Sequence, residues 1–369
     1  MRGGTSRAVI FHRHDLPSDR ADWDRIFLAV MGSPDRNGRQ LDGMGGGISS
    51  LSKVCVVGPP TVEGADVDYT FVQVSVTDAS VDYAGNCGNM SSAIGPFAVD
   101  EGIVPHVGNG QRHVVIHNTN TGKLIRAIFD VVDGSAAVDG ELEIDGVSGS
   151  GAPVKLEFLE PGGAKTGKLL PTGNVTDRLQ IRNGLTVDAT LIDAANPCVF
   201  LSASDFGKRG TETADELEAD TALMEDLESA RCQASVAMGL AATVAQARTL
   251  QSIPKVALIF APQVHRLASG RVLAVEEFDI GIRMISMGRP HRAVPITGAV
   301  CLAVAMRLPH SLPSRLMTES GGALRVGHPS GVVSVDAQIS EGPMQGPHAD
   351  FGSVYRTARR LFEGSVLYR

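Results

Sequence analysis

The chain has 369 residues, of which 43% are hydrophobic, 5% aromatic and 20% charged, and its formal net charge is −8. This length exceeds what one hydrophobic core usually spans, so two domains are expected. The acidic balance and the few aromatic side chains argue against nucleic acid and against an anionic membrane surface as partners.

No apolar run approaches the roughly 18 to 20 residues that a transmembrane helix needs. The first residues, MRGGTS, lack the apolar stretch of a signal peptide. The cysteines are scattered and form no CxxC pair, which favours reduced thiols and argues against a disulfide framework or a zinc site; they are Cys55, Cys87, Cys198, Cys232 and Cys301. The sequence therefore predicts a cytoplasmic protein without a metal.

In chain order, short Val- and Ile-rich runs that alternate with polar residues predict β-strands. They are Ala8–Phe11, Lys53–Val57, Tyr69–Val76, Val114–His117, Leu124–Val131, Val154–Phe158, Cys198–Leu201, Val256–Phe260 and Asp279–Ile285. Helical periodicity predicts helices over Arg20–Met31, Gly88–Asp100, Asp215–Gln246 and Gly298–Met306. Strands outnumber helices without regular alternation, so we predict an α+β fold and not a doubly wound sheet. Gly-rich segments place the predicted domain boundary near residue 184, giving domains 1–184 and 185–369, with the last strand free to pack back on the first domain.

A short internal repeat indicates that the two domains are similar. Ser50–Val54 (SLSKV) opens one predicted strand, and Ser252–Val256 (SIPKV) opens another. Each strand is followed by a predicted helix start, one at Cys87 and one at Thr297. We therefore expect two similar domains that face one cleft with equivalent helix N-termini.

The stretch GNCGN surrounds Cys87 at the first of these helix starts. A helix N-terminus offers unpaired N–H groups and a partial positive charge, so it attracts an anion and favours a thiolate. Glycines let a ligand approach the backbone closely. The alternative interpretation is a small buried apolar residue without a chemical role, and the local sequence leaves both open.

Lys53 stands at the mouth of an otherwise apolar predicted strand. It is either a surface lysine whose stem lies along apolar neighbours or a buried amine that takes part in proton transfer. By itself this position favours the surface lysine. The hydroxyl groups of Ser49, Ser50 and Ser52, which can bind carboxylate oxygens, give some weight to the second interpretation.

Other stretches are dense in hydrogen-bonding groups: Arg2–Ser6, Asn118–Lys123, Asn196–Pro197 and His291–Arg292. For each of the first three alone, a turn capped by its own side chains is the simpler interpretation. The pair His291–Arg292 is a better candidate for gripping a carboxylate, because arginine forms paired bonds to it. No complete phosphate-binding loop, HExxH or GxSxG motif is present, so no cofactor is predicted.

Seven motifs occur in order along the chain. They are MRGGTS (Met1–Ser6), Gly43–Gly47 leading to SKV (Ser52–Val54), GNCGN (Gly85–Asn89), HNTNTGK (His117–Lys123), Asn196–Pro197, HRAVPITG (His291–Gly298) and RTARR (Arg356–Arg360). Together they resemble the 2-methylaconitate cis-trans isomerase family, often called PrpF, which also includes 4-oxalomesaconate tautomerases and methylitaconate isomerases. The resemblance runs from the first residue almost to the last.

The resemblance implies the diaminopimelate epimerase fold, with two similar domains, each a mixed β-sheet wrapped around a central helix, and the active site between them. It also implies cofactor-independent proton transfer with Lys53 and Cys87 as the acid–base pair. Epimerases of this fold place two cysteines opposite each other, whereas here the second helix start carries Thr297 and Gly298, and Cys301 lies further along. This departure favours the isomerase branch of the family.

We therefore predict an isomerase that shifts a proton across an allylic system, or changes the double-bond geometry, of a small unsaturated di- or tricarboxylate resembling 2-methylaconitate. Lys53 removes the proton and Cys87 donates or stabilises, or the two exchange roles; the ammonium form of Lys53 cannot act as the base. The predicted substrate-binding residues are Arg2, Gly3, Gly4, Thr5, Ser6, Ser50, Ser52, Asn86, Gly88, Asn89, Asn118, Thr119, Asn120, Thr121, Asn196, His291, Arg292, Thr297 and Gly298.

Two alternatives remain open at this stage. One is a keto–enol tautomerase that acts on 4-oxalomesaconate, because that reaction is also a 1,3-proton shift. The other is a non-catalytic carboxylate-binding partner of a metabolic enzyme, which would not need Lys53 and Cys87 together. The presence of both residues favours an enzyme. The sequence does not choose the assembly, and a homodimer is left open.

Overall fold

The computed structural model describes residues 1–83, 85–105, 108–318, 322–342 and 346–368. Its contacts group the chain into two compact units, the first formed by Met1–Glu157 with Tyr355–Arg369 and the second by Phe158–Val354. The grouping thus changes inside a strand, Pro153–Leu159, and not in the Gly-rich segments near residue 184. A chain that crosses between units inside a regular strand leaves no compositional mark, which is why glycine content suggested another place.

In its described residues, the first unit is a mixed sheet with two α-helices. Its strands and helices are β1 (Arg2–Gly3), β2 (Ser6–Arg7), β3 (Val9–His12), α1 (Trp23–Met31), β4 (Lys53–Gly58), β5 (Val67–Val74), β6 (Val81–Asp82), α2 (Gly88–Asp100), β7 (Gly110–Asn118), β8 (Lys123–Val132), β9 (Ser135–Ala136), β10 (Leu142–Glu143) and β11 (Ser150–Gly151), followed by β12 (Pro153–Leu159). Along β3, β4, β5, β7 and β8, neighbouring strands pair in the order parallel, antiparallel, parallel, antiparallel.

The two helices of this unit use alternate residues of the same strands. Val54 of β4 and Val72 of β5 belong to one hydrophobic core with Trp23 and Phe27 of α1. Side chains alternate across a strand, so Lys53, which is next to Val54 on β4, faces the opposite side of the sheet from α1. Helix α2 is buried from Met90 to Val99 and largely apolar there, as expected of a central helix.

The second unit is also a mixed sheet with helices. Its elements are β13 (Asp177–Gln180), β14 (Thr186–Ala194), β15 (Asn196–Ser202), α3 (Ala214–Ala219), α4 (Thr221–Ala237), α5 (Val244–Thr249), β16 (Lys255–Phe260), β17 (His265–Arg266), β18 (Val272–Leu273), β19 (Ile280–Ser286), β20 (Arg289–Pro290), α6 (Ile296–Arg307), α7 (Leu312–Leu316), β21 (Leu324–His328), β22 (Gly331–Glu341) and β23 (Pro347–Arg359). The last strand, β23, ends in residues that group with the first unit.

The strand order of the first unit recurs in the second. Strands β15, β16, β19, β21 and β22 pair in the order parallel, antiparallel, parallel, antiparallel. Helix α4 precedes β16 as α1 precedes β4, and the buried apolar helix α6 precedes β21 as α2 precedes β7. The predicted α+β fold with two similar mixed-sheet units, each with a central helix, is therefore confirmed.

One stretch that was predicted to be a single helix is broken into three. The stretch Asp215–Gln246 forms α3, α4 and α5 and not one helix. The carboxylate of Asp220 accepts a hydrogen bond from the N–H of Leu223 at 3.0 Å and so starts α4 anew. Gly239, with φ +72°, follows the end of α4. Within the described ranges, no helix is long and apolar enough to cross a membrane.

Candidate active site

Lys53 is the first residue of β4, and its side chain is buried, with only 7% of its surface exposed. Its Nζ donates a hydrogen bond to Oε1 of Gln73 at 2.5 Å and lies 5.0 Å from the ring centroid of Phe71. Among the described residues no carboxylate pairs with this amine. The structure therefore excludes the interpretation of Lys53 as a surface lysine and shows a buried amine held by neutral partners.

A polar network behind Lys53 fixes its acceptor. Nε2 of Gln73 donates to the carbonyl oxygens of Ser49 at 3.0 Å and Ser52 at 2.9 Å, so its Oε1 points to the lysine. The buried hydroxyl of Ser52 accepts a hydrogen bond from Nε2 of Gln40 at 2.7 Å. Of the predicted hydroxyl groups, Ser52 is thus engaged with protein, and Ser50 lies half-buried in a short 3-10 helix.

Cys87 is the N-cap residue of α2, and its side chain makes no capping hydrogen bond. Its carbonyl oxygen accepts the first helical bond, from the N–H of Ser91 at 2.9 Å. Its thiol sulphur lies 3.9 Å from Oγ of Ser6. The other four cysteines are buried, whereas Cys87 is partly exposed. The start of α2 thus combines a partly exposed thiol with unpaired backbone N–H groups.

Lys53 and Cys87 belong to one electrostatic environment. The pKa of Cys55 is raised to about 12, mainly by burial and next by Cys87, while Lys53 acts in the opposite direction. Burial also raises the pKa of Tyr69, to which Cys55 and Cys87 contribute as well. Since Cys55 follows Lys53 by two residues on β4, the side chains of Lys53 and Cys55 share a face of the sheet.

The raised pKa of Cys55 predicts that the first unit loses stability in alkali. Its folded pKa of about 12 exceeds the ordinary thiol value of 9.0, so the stabilising effect is complete below pH 9 and is lost as the pH rises toward 12. At pH 10.5 the loss amounts to about 2 kcal/mol. Urea unfolding at pH 8 and pH 10.5 should show that the wild type loses about 2 kcal/mol more than Cys55→Ala. Equal losses in the two proteins would contradict this assignment.

Arg2, Gly3 and Gly4 lie on and just after β1, which packs against the start of α2. Nη1 of Arg2 donates to the carbonyl oxygens of Gly4 and Thr357 and to the Thr357 hydroxyl, so its guanidinium is engaged with protein. A Cβ added at Gly3 would lie 2.6 Å from the carbonyl oxygen of Asn89, and Gly4 has φ +51°. These glycines therefore let β1 lie directly against the first turn of α2.

Gly3→Ala is expected to lower the free energy of unfolding by about 2 kcal/mol, because the clash is with helix backbone and cannot be relieved by a side-chain rotation. Gly346→Ala is the matched control, since nothing lies within 4 Å of a Cβ there. Urea unfolding of the three proteins checks the prediction. A Gly3→Ala protein as stable as Gly346→Ala would mean that β1 and α2 do not pack as described.

The amide of Asn89 links the start of α2 to Thr5 and Arg356. Its Nδ2 donates to Oγ1 of Thr5 at 3.1 Å, and its Oδ1 accepts from Nε of Arg356 at 3.2 Å. Burial lowers the pKa of Arg356 to about 10. The guanidinium of Arg356 thus bonds a side chain in the first turn of α2 and adds to the positive potential of the helix N-terminus.

The stretch Asn118–Thr121 is tied to the protein. Oδ1 of Asn118 accepts from the N–H and the hydroxyl of Thr121, and Nδ2 of Asn118 lies 3.4 Å from Oδ1 of Asn86. Asn120 bonds the backbone of β5 through both its amide atoms, and the hydroxyl of Thr119 lies 2.6 Å from that of Thr70. Of these side chains, Asn118 contacts Asn86, the residue before Cys87. Their predicted contact with substrate stays a prediction.

The predicted residues of the second unit lie at the start of β15 and along the segment from His291 to the first turn of α6. Thr297 and Gly298 are in its first turn, and His291 is half-buried with its N–H donating to the carbonyl oxygen of Met284 at 2.7 Å. Arg292 is exposed and pairs with Asp215 at 3.0 Å. Nδ2 of Asn196, the first residue of β15, donates to the carbonyl oxygen of Pro197.

Three residues beside these groups were not among the predicted site residues: Gln73, Gln40 and Arg356. Gln73 is placed next to Lys53 by the register of β4 and β5, which a sequence does not display. Arg356 stood in the RTARR motif, so that motif was the signal that could have identified it.

Comparison with known proteins agrees with this architecture. The PrpF protein family matches residues 1–369. The chain belongs to the PrpF family. The solved structure of a methylitaconate-delta-isomerase matches with a TM-score of 0.92 and 40% identity, covering 99% of this chain and 93% of that chain.

Two relatives extend the comparison. The 4-oxalomesaconate tautomerase of Pseudomonas putida is 38% identical over 369 residues, covering 99% of this chain and 94% of the relative. The 2-methyl-aconitate isomerase of Shewanella oneidensis is 37% identical over 380 residues, covering 99% and 95%. The prediction that the chain is an enzyme of the isomerase class is therefore confirmed, and these similar identities do not choose a substrate.

Proposed function

We propose that this PrpF-family protein moves a proton across the allylic system of a small unsaturated di- or tricarboxylate, with Lys53 and Cys87 as the acid–base pair. The observation that carries the proposal is the buried amine of Lys53, which has neutral partners and shares its electrostatic environment with a thiol at an open helix start. Isomerase activity on small unsaturated carboxylates is supported by the names of the relatives and of the solved structure.

In the proposed reaction the neutral amine of Lys53 takes a proton from the saturated carbon next to the double bond. The electron pair of the broken C–H bond delocalises over the double bond and the adjacent carboxylate, which gives a dienolate. The N–H groups of the first turn of α2, beginning at Gly88, stabilise the developing negative charge. The thiol of Cys87 then donates its proton to the far carbon, and a proton passes from Lys53 to the thiolate to restore both groups.

The hydrogen-bonded residues around α2 position this pair. Gln73 orients the amine of Lys53, and Asn118 holds Asn86 beside Cys87. Thr5 and Ser6 lie beside the first turn of α2, to which Asn89 belongs. Together they would bind a substrate carboxylate, and Arg356 adds positive charge. The negative charge of a substrate carboxylate makes it harder to remove a proton from the neighbouring carbon. The hydrogen-bond donors around the carboxylate offset that charge.

The test is proton NMR of the purified protein in deuterated water with a panel of carboxylates: cis- and trans-aconitate, 2-methylaconitate, methylitaconate and 4-oxalomesaconate. Deuterium should replace an allylic proton of one substrate as the double bond moves or changes geometry. No exchange in any substrate, despite measurable binding, would refute the proposal.

A keto–enol tautomerase acting on 4-oxalomesaconate is the second candidate, because a tautomerase of that name is 38% identical to this chain. The same residues would serve, since a tautomerisation is also a 1,3-proton shift. The two candidates differ in which panel member turns over fastest, so the same experiment decides between them.

A further inference from the structure

Gln40 is a buried residue whose backbone lies in the left-handed region. Only 1% of its surface is exposed, and its φ is +51°. A residue with a side chain rarely adopts this conformation, because its Cβ then lies too close to the following carbonyl oxygen. The carboxylate of Asp35 holds the backbone there by accepting the N–H groups of Arg39 at 3.0 Å and Gln40 at 2.6 Å. Glycine would fit this position without strain, so the presence of glutamine indicates a use for its amide group.

The amide group of Gln40 joins the two ends of the loop of residues 47–52. Its Oε1 accepts the N–H of Gly47 at 3.0 Å, and its Nε2 donates to the hydroxyl of Ser52 at 2.7 Å. Nε2 also donates to the hydroxyl of Ser33 at 2.8 Å, so both of its protons are engaged. A Cβ added at Gly45 would lie 2.2 Å from Oε1 of Gln40, so the glycine lets the preceding segment lie directly on the amide. The side chain of Gln40 thus closes the 47–52 loop.

The 47–52 loop carries the two carbonyl groups that hold Gln73. The carbonyl oxygens of Ser49 and Ser52 accept from Nε2 of Gln73 at 3.0 Å and 2.9 Å. Its Oε1 is left to accept from the amine of Lys53. A continuous series of hydrogen bonds thus leads from Gln40 through this loop and Gln73 to the amine. All of these residues belong to the first unit.

We infer that Gln40 is a positioning residue, which fixes the direction of the Lys53 amine by closing the 47–52 loop. This inference rests on the proposed function for the role of that amine. Sheet pairing holds the carbonyl group of Ser52 in any case, because it also accepts a backbone N–H of β5 at 3.1 Å. The carbonyl group of Ser49 lies within the loop, in a short 3-10 helix, and depends on the closure of the loop. Without Gln40, the amide of Gln73 keeps one of its two carbonyl partners and can turn, and the amine loses its fixed acceptor.

The experiment compares variants that remove the amide of Gln40 with a variant that only changes a left-handed backbone position. Gln40→Gly removes the amide and keeps the backbone conformation without strain. Gln40→Asn also tolerates positive φ, but its amide is one methylene short of the loop ends. It should therefore behave like Gln40→Gly, and it takes the place of that variant if Gln40→Gly does not fold. Asp133→Gly is the matched control, because Asp133 is an exposed residue of the same unit with φ +49°.

Turnover and binding are measured separately, and each rate is divided by the folded fraction from circular dichroism and urea unfolding. kcat and KM are measured with the panel member that the wild type converts fastest. Binding is measured calorimetrically with tricarballylate, a saturated tricarboxylate without a double bond. Gln40→Gly should lower kcat at least about tenfold, because an amine without a fixed direction is seldom aimed at the substrate carbon.

The KM of Gln40→Gly and its affinity for tricarballylate should stay within about threefold of the wild type, since the loss lies in the reaction and not in binding. Asp133→Gly should change neither kcat nor KM. An unchanged kcat in Gln40→Gly, or a loss of binding equal to the loss of kcat, would overturn the inference.

A double variant tests whether Gln40 acts through Gln73. Gln73→Met keeps the approximate length of the side chain and removes the acceptor of Lys53. If Gln40 acts through that acceptor, Gln40→Gly should cost little further activity in the Gln73→Met background, because the two losses share one cause. Losses that multiply would show that Gln40 acts independently of Gln73, and the inference would be refuted.

Crystal structures of the wild type and of Gln40→Gly make the test independent of turnover. In the variant, Nζ of Lys53 should no longer lie on Oε1 of Gln73 in a single direction. If no panel member is converted but this change is seen, the proposed function fails while the positioning by Gln40 stands. If Nζ keeps its bond to Gln73 in the variant, the positioning by Gln40 is refuted whether or not the protein is an isomerase.

Discussion

Replacing Lys53 with glutamine is expected to lower kcat at least about 10³-fold, within the range by which a positioned general base contributes. Glutamine is one atom shorter than lysine and keeps a polar end, but it has no basic nitrogen. The measurement is the rate at which the allylic proton signal of the substrate disappears in deuterated water.

The variant Lys53→Arg separates proton transfer from charge. Arginine keeps a positive charge and several donors but does not give up its proton, so it should lose as much activity as glutamine. Near-normal kcat in Lys53→Arg would show that Lys53 binds charge and does not transfer a proton. Lys53→Ala offers a third test, because the space left by the side chain should admit a small amine. Added ethylamine should restore part of the exchange rate in that variant and should leave the wild-type rate unchanged. The control variant Lys168→Gln, which changes an exposed lysine, should behave like the wild type in every measurement.

How far the sequence predicts such a site depends on the range of the interactions. Helix α2 was predicted with its observed bounds, Gly88–Asp100, because an apolar period and a Gly-rich start are local signals. The break in the predicted helix Asp215–Gln246 was missed, because a single cap at Asp220 competes with strong helical periodicity on both sides. The neutral acceptor of Lys53 could not be predicted, since Gln73 is 20 positions away and is placed by strand register alone.

The same reasoning explains why several polar stretches proved to have protein partners. Arg2 and Asn120 carry the groups that bind carboxylates, but they also carry the groups that satisfy backbone atoms, and composition does not distinguish these uses. The repeated lysine is a different case. The strings SLSKV and SIPKV were visible in the sequence. Only the matching strand order shows that Lys53 and Lys255 occupy equivalent positions.

Replacing Cys87 with serine is expected to lower kcat for isomerisation by about 10²-fold. A hydroxyl has the shape of the thiol but is a much weaker acid, so it returns a proton to the dienolate slowly. Cys87 is also the partly exposed cysteine of the five. Iodoacetamide should therefore label one thiol quickly in the native protein, Cys87→Ser should abolish that labelling, and tricarballylate should protect against it.

The decisive reading of Cys87→Ser compares two rates in one NMR experiment. If Lys53 removes the proton and Cys87 returns it at the far carbon, the variant should still exchange the first allylic position while movement of the double bond slows about 10²-fold. Unchanged rates of both would eliminate the thiol from the reaction and leave Lys53 to carry the proton from one carbon to the other. Equal loss of both rates would mean that the roles are exchanged and that the thiolate at the start of α2 removes the proton. Each outcome assigns the two steps to particular atoms, because exchange requires only the breaking of the first C–H bond and isomerisation requires the formation of the second.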